Sequence, residues 1–203
     1  MPFSSLFPTQ LYKGRLTRAV TLALNRDLER ACRMLQVEDR AGRAWSKQNH
    51  YPGYTSYASL NDLPKRAPPF AALQAQLDAH VAAFAHELQF DLGGRRLKLD
   101  SMWVNVLEPM GVHSAHIHPH SAVSGTYYVV VPKGSGALKL EDPRLPLMMA
   151  APAKRERARI ENRRFIYVEP KPGKVLLWES WLRHEVAAGT AKSARISVSF
   201  NYA

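Results

Sequence analysis

Apolar residues recur at steps of three and four positions in two stretches of the N-terminal half. The first stripe runs from Leu16 to Leu35, and the second runs from Phe70 to Leu88 directly after a Pro-Pro pair. This spacing places side chains on one face of an α-helix. The pattern therefore predicts two amphipathic helices whose apolar faces pack on a core.

The segment between the two predicted helices, residues 46–65, is rich in Tyr, Ser, Asn, Gly and Pro. This composition is typical of a loop. Loops of this length often cover binding sites when they are ordered. We therefore consider His50 and Tyr54 as candidates for a lid.

The C-terminal half has a different pattern, in which short runs of β-branched and aromatic residues end at Gly, Pro or charged positions. Such runs predict the strands of an antiparallel β-sandwich or barrel. They cover residues 101–108, 125–132, 136–143, 164–170, 173–180 and 194–203. The predicted fold class is α+β, mainly β, with the N-terminal helices packed on one sheet.

A chain of 203 residues is long enough for one domain with a sizeable core. We expect a single domain over 1–203, in which 1–95 is mainly helical support with a long loop and 96–203 is the β-core that carries the site. No linker or internal repeat divides the sequence.

Composition restricts the location and the chemistry of the protein. No apolar stretch approaches the roughly 20 residues of a membrane helix, and the first residues lack the pattern of a signal peptide. We expect a cytoplasmic protein without a membrane partner. The single cysteine, Cys32, excludes an internal disulfide framework and a cysteine-based zinc cluster. Its place in the first apolar stripe predicts a buried structural thiol.

Basic residues outnumber acidic residues by 28 to 17, and six of them lie in residues 151–164 against two acidic residues. A solvated loop or hairpin tip explains this basic segment without a partner. The charge leaves an acidic substrate or a nucleic acid open. Nothing else in the sequence supports a nucleic acid, and the basic segment has no aromatic residue that could stack on a base.

Three histidines alternate at His116, His118 and His120, and a fourth, His184, follows a later predicted strand. Residues at i and i+2 share a face of a strand. Two imidazoles from one strand and a third from another can close on one ion, and imidazole is a common ligand for iron, copper, nickel and zinc. A solvated strand edge would also explain the alternation, so the spacing alone leaves both readings open.

The last predicted strand has one polar face and one apolar face. Its polar face carries Arg195, Ser197, Ser199 and Asn201. A ligand cavity would explain that face, and an arginine at its head can hold a carboxylate through two parallel hydrogen bonds. A surface ion pair is the alternative role for Arg195.

These motifs together resemble the 2-oxoglutarate/Fe(II)-dependent oxygenase superfamily, and more narrowly its bacterial and phage group related to prolyl hydroxylases. They keep the order of that family over about half of the chain. The resembling segments are HIHPHSAVSGTYYVVVP, EDPR, PKPGKVLLWESWLRHEV and ARISVSFNYA. The resemblance implies a double-stranded β-helix, or jelly roll.

The resemblance also implies a set of site residues. His116 matches the first metal ligand and His184 the distal one, whereas His118 stands where the family usually has a carboxylate. Arg195 would anchor 2-oxoglutarate. Hydrogen bonds to the co-substrate are implied for Asn105, Tyr128 and Ser197. We set His113 and His120 aside as ligands and expect no catalytic residue beyond the metal ligands.

The implied activity is that of a hydroxylase-type oxygenase, which uses Fe(II) and 2-oxoglutarate. It would oxidise an unknown primary substrate while 2-oxoglutarate loses carbon dioxide and becomes succinate. The alternative is a cupin-like jelly-roll metalloprotein that binds zinc or nickel, because a three-histidine site with an open position also suits zinc. The oligomeric state is open, and a homodimer through the helical half is compatible with the sequence.

Overall fold

Three α-helices occupy the N-terminal half of the computed structural model, which describes residues 3–203. They are α1 (Arg18–Glu38), α2 (Arg40–Gln48) and α3 (Pro68–Glu87). Helices α1 and α3 confirm the two predicted amphipathic helices. The apolar stripes are slightly longer than the helices, since Leu16 precedes α1 and Leu88 follows α3. As predicted, Cys32 is a buried free thiol on α1.

The segment predicted as a loop contains regular structure. Helix α2 extends into it, and a short strand, β2 (Gly53–Thr55), follows. Tyr54 is 2% exposed and its hydroxyl donates a hydrogen bond to Asp39 at 2.9 Å. A buried tyrosine in a strand cannot act as a lid, so that prediction was wrong for Tyr54. His50 is exposed in the turn between α2 and β2.

Ten strands follow the chain among the described residues. They are β1 (Tyr12–Arg15), β2, β3 (Leu99–Leu107), β4 (His113–His116), β5 (Val123–Val130), β6 (Leu138–Glu141), β7 (Phe165–Val168), β8 (Lys174–Glu179), β9 (His184–Val186) and β10 (Arg195–Tyr202). All six predicted strands are confirmed. The four strands outside the predicted runs, β1, β2, β4 and β9, have three or four residues each.

The strands form two antiparallel sheets. The larger sheet has the order β1-β8-β5-β10-β3-β2, and the smaller has the order β4-β9-β6-β7. Helices α1 and α3 cover the outer face of the larger sheet and share one hydrophobic core with it. A second, smaller core lies between the two sheets. The expected mainly β fold of the α+β class, with its helices on one sheet, is therefore confirmed.

Strand β10 lies inside the larger sheet, between β5 and β3. Its apolar face points to the helices, where Ile196, Val198 and Phe200 are fully buried. Its polar face points to the smaller sheet and forms part of a cavity between the sheets. Within residues 3–203, no helix combines the length and the apolar character that a membrane span requires.

Candidate metal and co-substrate site

Three imidazoles meet at one end of the space between the two sheets. The potential ligand atoms of His116, His118 and His184 all lie within 4.8 Å of one another. The Nε2 atoms of His118 and His184 are 3.3 Å apart. The ring centroids of His116 and His184 are separated by 4.4 Å. Three neutral nitrogen donors at this spacing form a donor set that suits iron, nickel, copper or zinc.

The backbone brings these rings together in a way that differs from the expected alternation along one strand. Strand β4 ends at His116, which pairs directly with His184 of β9. His118 lies beyond the strand, and its backbone N–H donates to the carbonyl oxygen of Ser180 at 3.0 Å. Pro119 has no N–H for a continuing ladder, so the chain turns at this point. His120 follows in the turn, exposed and with a positive φ of 73°.

Hydrogen bonds orient two of the three imidazoles. The Nδ1 atom of His184 lies 2.8 Å from the carbonyl oxygen of Leu182, and Nδ1 of His116 lies 2.6 Å from that of Ser114. A carbonyl oxygen only accepts, so each Nδ1 carries the proton and each Nε2 presents a lone pair. Nδ1 of His118 lies 3.4 Å from the side-chain nitrogen of Asn201.

Burial keeps His118 and His184 uncharged near neutral pH. Desolvation, followed by the nearby His116, lowers the pKa of His184 to about 3 and that of His118 to about 4. A neutral imidazole is the form that binds a metal ion. His118 and His184 therefore present free ligand nitrogens at neutral pH.

A cavity extends from the three imidazoles towards the opposite end of β10. Including its open mouth, it has an empty volume of about 480 Å³. Its wall includes all four residues that the sequence suggested for the co-substrate: Asn105, Tyr128, Arg195 and Ser197.

Arg195 is a buried cation with spare hydrogen-bonding capacity. It is 4% exposed, and its Nη1 donates to the carbonyl oxygen of Gly136 at 3.1 Å. Its Nε atom has no hydrogen-bond partner among residues 3–203. The guanidinium carbon lies 5.8 Å from the ring centroid of Tyr128. Buried polar groups are nearly always paired, so this one has the character of a ligand-binding group that would suit a carboxylate.

The other three suggested residues have different surroundings. The amide of Asn105 is held by neighbours, since its Nδ2 donates to Ser199 and its Oδ1 accepts from Thr55. Tyr128 is 1% exposed and also belongs to the core between the sheets. Burial raises the pKa of its hydroxyl, so the phenol is protonated at neutral pH. Ser197 is 2% exposed and paired with Tyr128 across the strands.

The sequence reasoning missed a tyrosine–histidine pair in this site. His113 had been set aside, but its ring lines the cavity. The hydroxyl of Tyr51 lies 2.5 Å from Nε2 of His113 and 3.3 Å from Oδ1 of Asn105. Burial, followed by the charge of Arg195, lowers the pKa of His113 to about 3. Four of the eight histidines fall between residues 112 and 120. This clustering was the sequence feature that could have indicated His113 as a residue of the site.

Known proteins agree with this architecture. A family described as "Putative 2OG-Fe(II) oxygenase" matches residues 101–201, which run from β3 to β10. No curated protein matches the chain in sequence.

Three solved structures share its fold. A prolyl-4-hydroxylase from Pseudomonas putida is similar at a TM-score of 0.58 and 18% identity, over 96% of this chain and 92% of that one. EctD from S. alaskensis, solved with 2-oxoglutarate and 5-hydroxyectoine, is similar at a TM-score of 0.65 and 15% identity, over 96% of this chain and 72% of that one. HygX from Streptomyces hygroscopicus, solved with nickel and 2-oxoglutarate, is similar at a TM-score of 0.56 and 16% identity, over 96% of this chain and 81% of that one.

At these identities the solved structures bear on the fold, and the family match over the cavity-forming strands carries the assignment. The resemblance of the sequence motifs to an oxygenase family is thereby confirmed. The chain belongs to the 2-oxoglutarate/Fe(II)-dependent oxygenase superfamily, whose cofactors are Fe(II) and 2-oxoglutarate.

Proposed function

We propose that His116, His118 and His184 hold Fe(II), and that Arg195 anchors the distal carboxylate of 2-oxoglutarate. The observation that carries this proposal is the convergence of three ligand nitrogens within 4.8 Å at one end of the cavity that Arg195 lines. His116 and His118 precede His184 and Arg195 by more than 60 residues in the sequence, yet the fold brings all four to one cavity. A site for a chelated, elongated anion gives both the imidazoles and Arg195 a use.

The three ligands differ in charge from the usual set of this superfamily, because His118 replaces a carboxylate. With three neutral ligands the cation would keep its full double charge. This charge, together with Arg195, favours a dianionic co-substrate at both of its ends. When bound, Fe(II) and 2-oxoglutarate supply oxygen chemistry that oxidises a substrate and releases succinate and carbon dioxide.

The protein's own groups position the co-substrate. Arg195 donates from its free Nε and its terminal nitrogens to a carboxylate. The hydroxyl of Tyr51 donates to Oδ1 of Asn105 and lies within hydrogen-bond distance of Nε2 of His113, which holds the ring of His113 in the cavity wall. Asn105, Tyr128 and Ser197 add hydrogen-bonding groups along the same wall. Trp178 packs against His184 with ring centroids 4.7 Å apart and limits the water around that ligand.

We further propose that β3–β10 form a double-stranded β-helix. In chain order, β3, β5, β8 and β10 lie in the larger sheet, and β4, β6, β7 and β9 lie in the smaller. This exchange between two facing sheets supports the jelly-roll prediction. The single domain over 1–203 stays a prediction, and its residues 1 and 2 lie outside the described part. A cytoplasmic location and a homodimer also stay predictions.

The activity can be tested before the primary substrate is known. Purified protein is incubated in air with Fe(II), ascorbate and 2-oxoglutarate, and succinate is measured over time. We expect slow, Fe(II)-dependent succinate formation that His116→Ala abolishes. If the wild-type protein forms no succinate and binds no 2-oxoglutarate when loaded with Fe(II), the proposal is wrong. Tight zinc binding with no response to 2-oxoglutarate would instead favour the non-oxygenase metalloprotein.

A further inference from the structure

Two aromatic side chains are exposed near the metal end of the cavity. Tyr57 is 50% exposed and Trp181 is 47% exposed. The ring of Tyr57 packs edge-on against Trp103 at 5.2 Å, and Trp103 lies 5.6 Å from the ring of His118. Trp181 follows Ser180, whose carbonyl oxygen accepts the backbone N–H of His118. Exposed aromatic residues from two separate segments therefore lie close along the fold to one proposed metal ligand.

A basic loop begins at the same end of the molecule. The β6–β7 loop, residues 142–164, contains seven basic residues and three acidic residues. Two of its arginines are paired with acidic residues of the loop itself, Arg144 with Asp142 and Arg159 with Glu161. Most of the remaining positive charge therefore lacks a carboxylate within the loop.

Strand register places the base of this loop beside the site. Leu140 of β6 pairs with His184 of β9, and the N–H of Glu141 donates to the carbonyl oxygen of Arg183 at 3.0 Å. Asp142, where the loop begins, is two residues beyond that pairing, or about 7 Å along the strand. The loop is closed at its base by a hydrogen bond from the N–H of Asp142 to the carbonyl oxygen of Arg164 at 2.8 Å.

The cavity itself leaves little space for a second ligand. Its empty volume of about 480 Å³ includes the open mouth, and the co-substrate would occupy the part between the imidazoles and Arg195. A primary substrate must therefore be recognised mainly on the surface around the mouth. That surface offers flat rings and arginine-rich positive charge.

We propose that the primary substrate is a single-stranded nucleic acid, whose phosphates contact the β6–β7 loop and whose bases stack on Tyr57 and Trp181. The proposal rests on the proposed function, since it names the substrate of that same site. Grooves that bind single strands combine positive charge along the backbone with aromatic platforms for the bases. An acidic peptide would use the charge but would leave the two exposed rings without a role.

The first test uses charge. A fluorescently labelled single-stranded DNA oligonucleotide is titrated with the full-length, metal-loaded protein at several salt concentrations, and its anisotropy is measured. Removing Lys154, Arg155 and Arg157 together, each by substitution with Gln, should reduce the slope of log affinity against log salt by about 2 if three phosphate contacts are lost. The matched control replaces Arg18, Arg26 and Arg30 on α1 with Gln, and its slope should equal that of the wild type.

The second test uses the rings. Tyr57→Leu and Trp181→Leu keep an apolar side chain but remove the flat platform. Each should weaken oligonucleotide binding about tenfold at constant salt. Metal content and 2-oxoglutarate affinity should stay at wild-type levels in both variants.

Three outcomes would overturn the substrate inference. They are no oligonucleotide binding by the wild type at low salt, equal losses in the loop variant and the α1 control, and equally effective competition by a polyglutamate peptide or by anionic lipid vesicles. A 2-oxoglutarate titration on the same preparations separates the two proposals. Intact 2-oxoglutarate binding without oligonucleotide binding overturns the substrate inference alone, whereas the reverse result overturns the proposed function.

Discussion

The two faces of strand β10 are both largely buried but differ in chemistry. On the outer face, β10 presents Ile196, Val198 and Phe200 to helices α1 and α3, and each is fully buried. On the inner face the same strand presents Arg195, Ser197, Ser199 and Asn201. Burying polar groups costs stability unless they are paired. On this strand the outer face therefore contributes to the hydrophobic core, and the inner face has the polar character that a ligand site would need.

The degree of pairing on the inner face shows where that ligand would act. Ser124 donates to Asn201, and Asn105 donates to Ser199, so these groups satisfy one another. Arg195 at the far end keeps an unpaired Nε among the described residues. The inner face is thus complete near the imidazoles and open at the arginine, as a carboxylate-binding end requires.

The largest effect should come from the outer face. Phe200→Ala removes a fully buried ring beneath the helices and should lower the free energy of unfolding by about 3–5 kcal/mol. Urea unfolding followed by circular dichroism measures this. Ser199→Ala, one position along on the inner face, is the control and should cost only about 1 kcal/mol through its hydrogen bond with Asn105. Equal losses of unfolding free energy in the two variants would show that the outer face does not contribute more to stability than the inner face.

Substitution of a proposed metal ligand should reduce metal affinity strongly and stability only slightly. His184→Ala removes one of three nitrogen donors and should weaken Fe(II) affinity more than about 100-fold, beyond the usual effect of losing a group that only orients a ligand. Anaerobic metal titration measures the affinity, and thermal unfolding reports whether the fold is kept. His50→Ala, which removes an exposed histidine outside the site, should bind Fe(II) like the wild type. Unchanged metal affinity in His184→Ala would rule out this residue as a ligand.

Arg195→Ala should affect the co-substrate without affecting the metal. Losing charge-assisted hydrogen bonds to a carboxylate should weaken 2-oxoglutarate binding about 10-fold to 100-fold. Calorimetric titration of Fe(II)-loaded protein checks this, with elemental analysis of the same sample to verify its metal content. Arg15→Ala on strand β1 provides the control. An Arg195 variant with wild-type 2-oxoglutarate affinity would contradict the assigned anchor.

We expect the smallest effect from a comparison of two tyrosine–histidine pairs, of which only one lies at the cavity. Tyr51 contacts His113 inside the cavity region, whereas Tyr12 contacts Nδ1 of His80 at 2.7 Å on the helical side of the larger sheet. Tyr51→Phe and Tyr12→Phe should each cost about 1 kcal/mol of stability. Only Tyr51→Phe should weaken 2-oxoglutarate binding, by several-fold, because it releases the orientation of His113. The same weakening in both variants would remove the positioning role.

The sequence predicted features that depend on local periodicity. Helices α1 and α3 follow from apolar residues at steps of three and four positions, and six strands and the two-faced character of β10 follow from apolar runs and alternation. The pairing of β4 with β9, which places His116 beside His184, has no signal in the local pattern.

Contacts distant in sequence could not be predicted from one chain. Tyr51 reaches His113 through the α2–β2 turn, and no local signal links the two residues. The expected alternation along one strand was wrong for His118, since it lies after strand β4. Its place depends on a backbone hydrogen bond to Ser180, which only the folded chain brings near.

The most direct test of the central claim is an anaerobic calorimetric titration of 2-oxoglutarate into Fe(II)-loaded and metal-free protein. If the three imidazoles and Arg195 form one site, the Fe(II)-loaded chain should bind one equivalent of 2-oxoglutarate. The metal-free chain should bind it far more weakly, because only the arginine end remains. Equal affinity with and without Fe(II), or no binding in either state, would contradict the account.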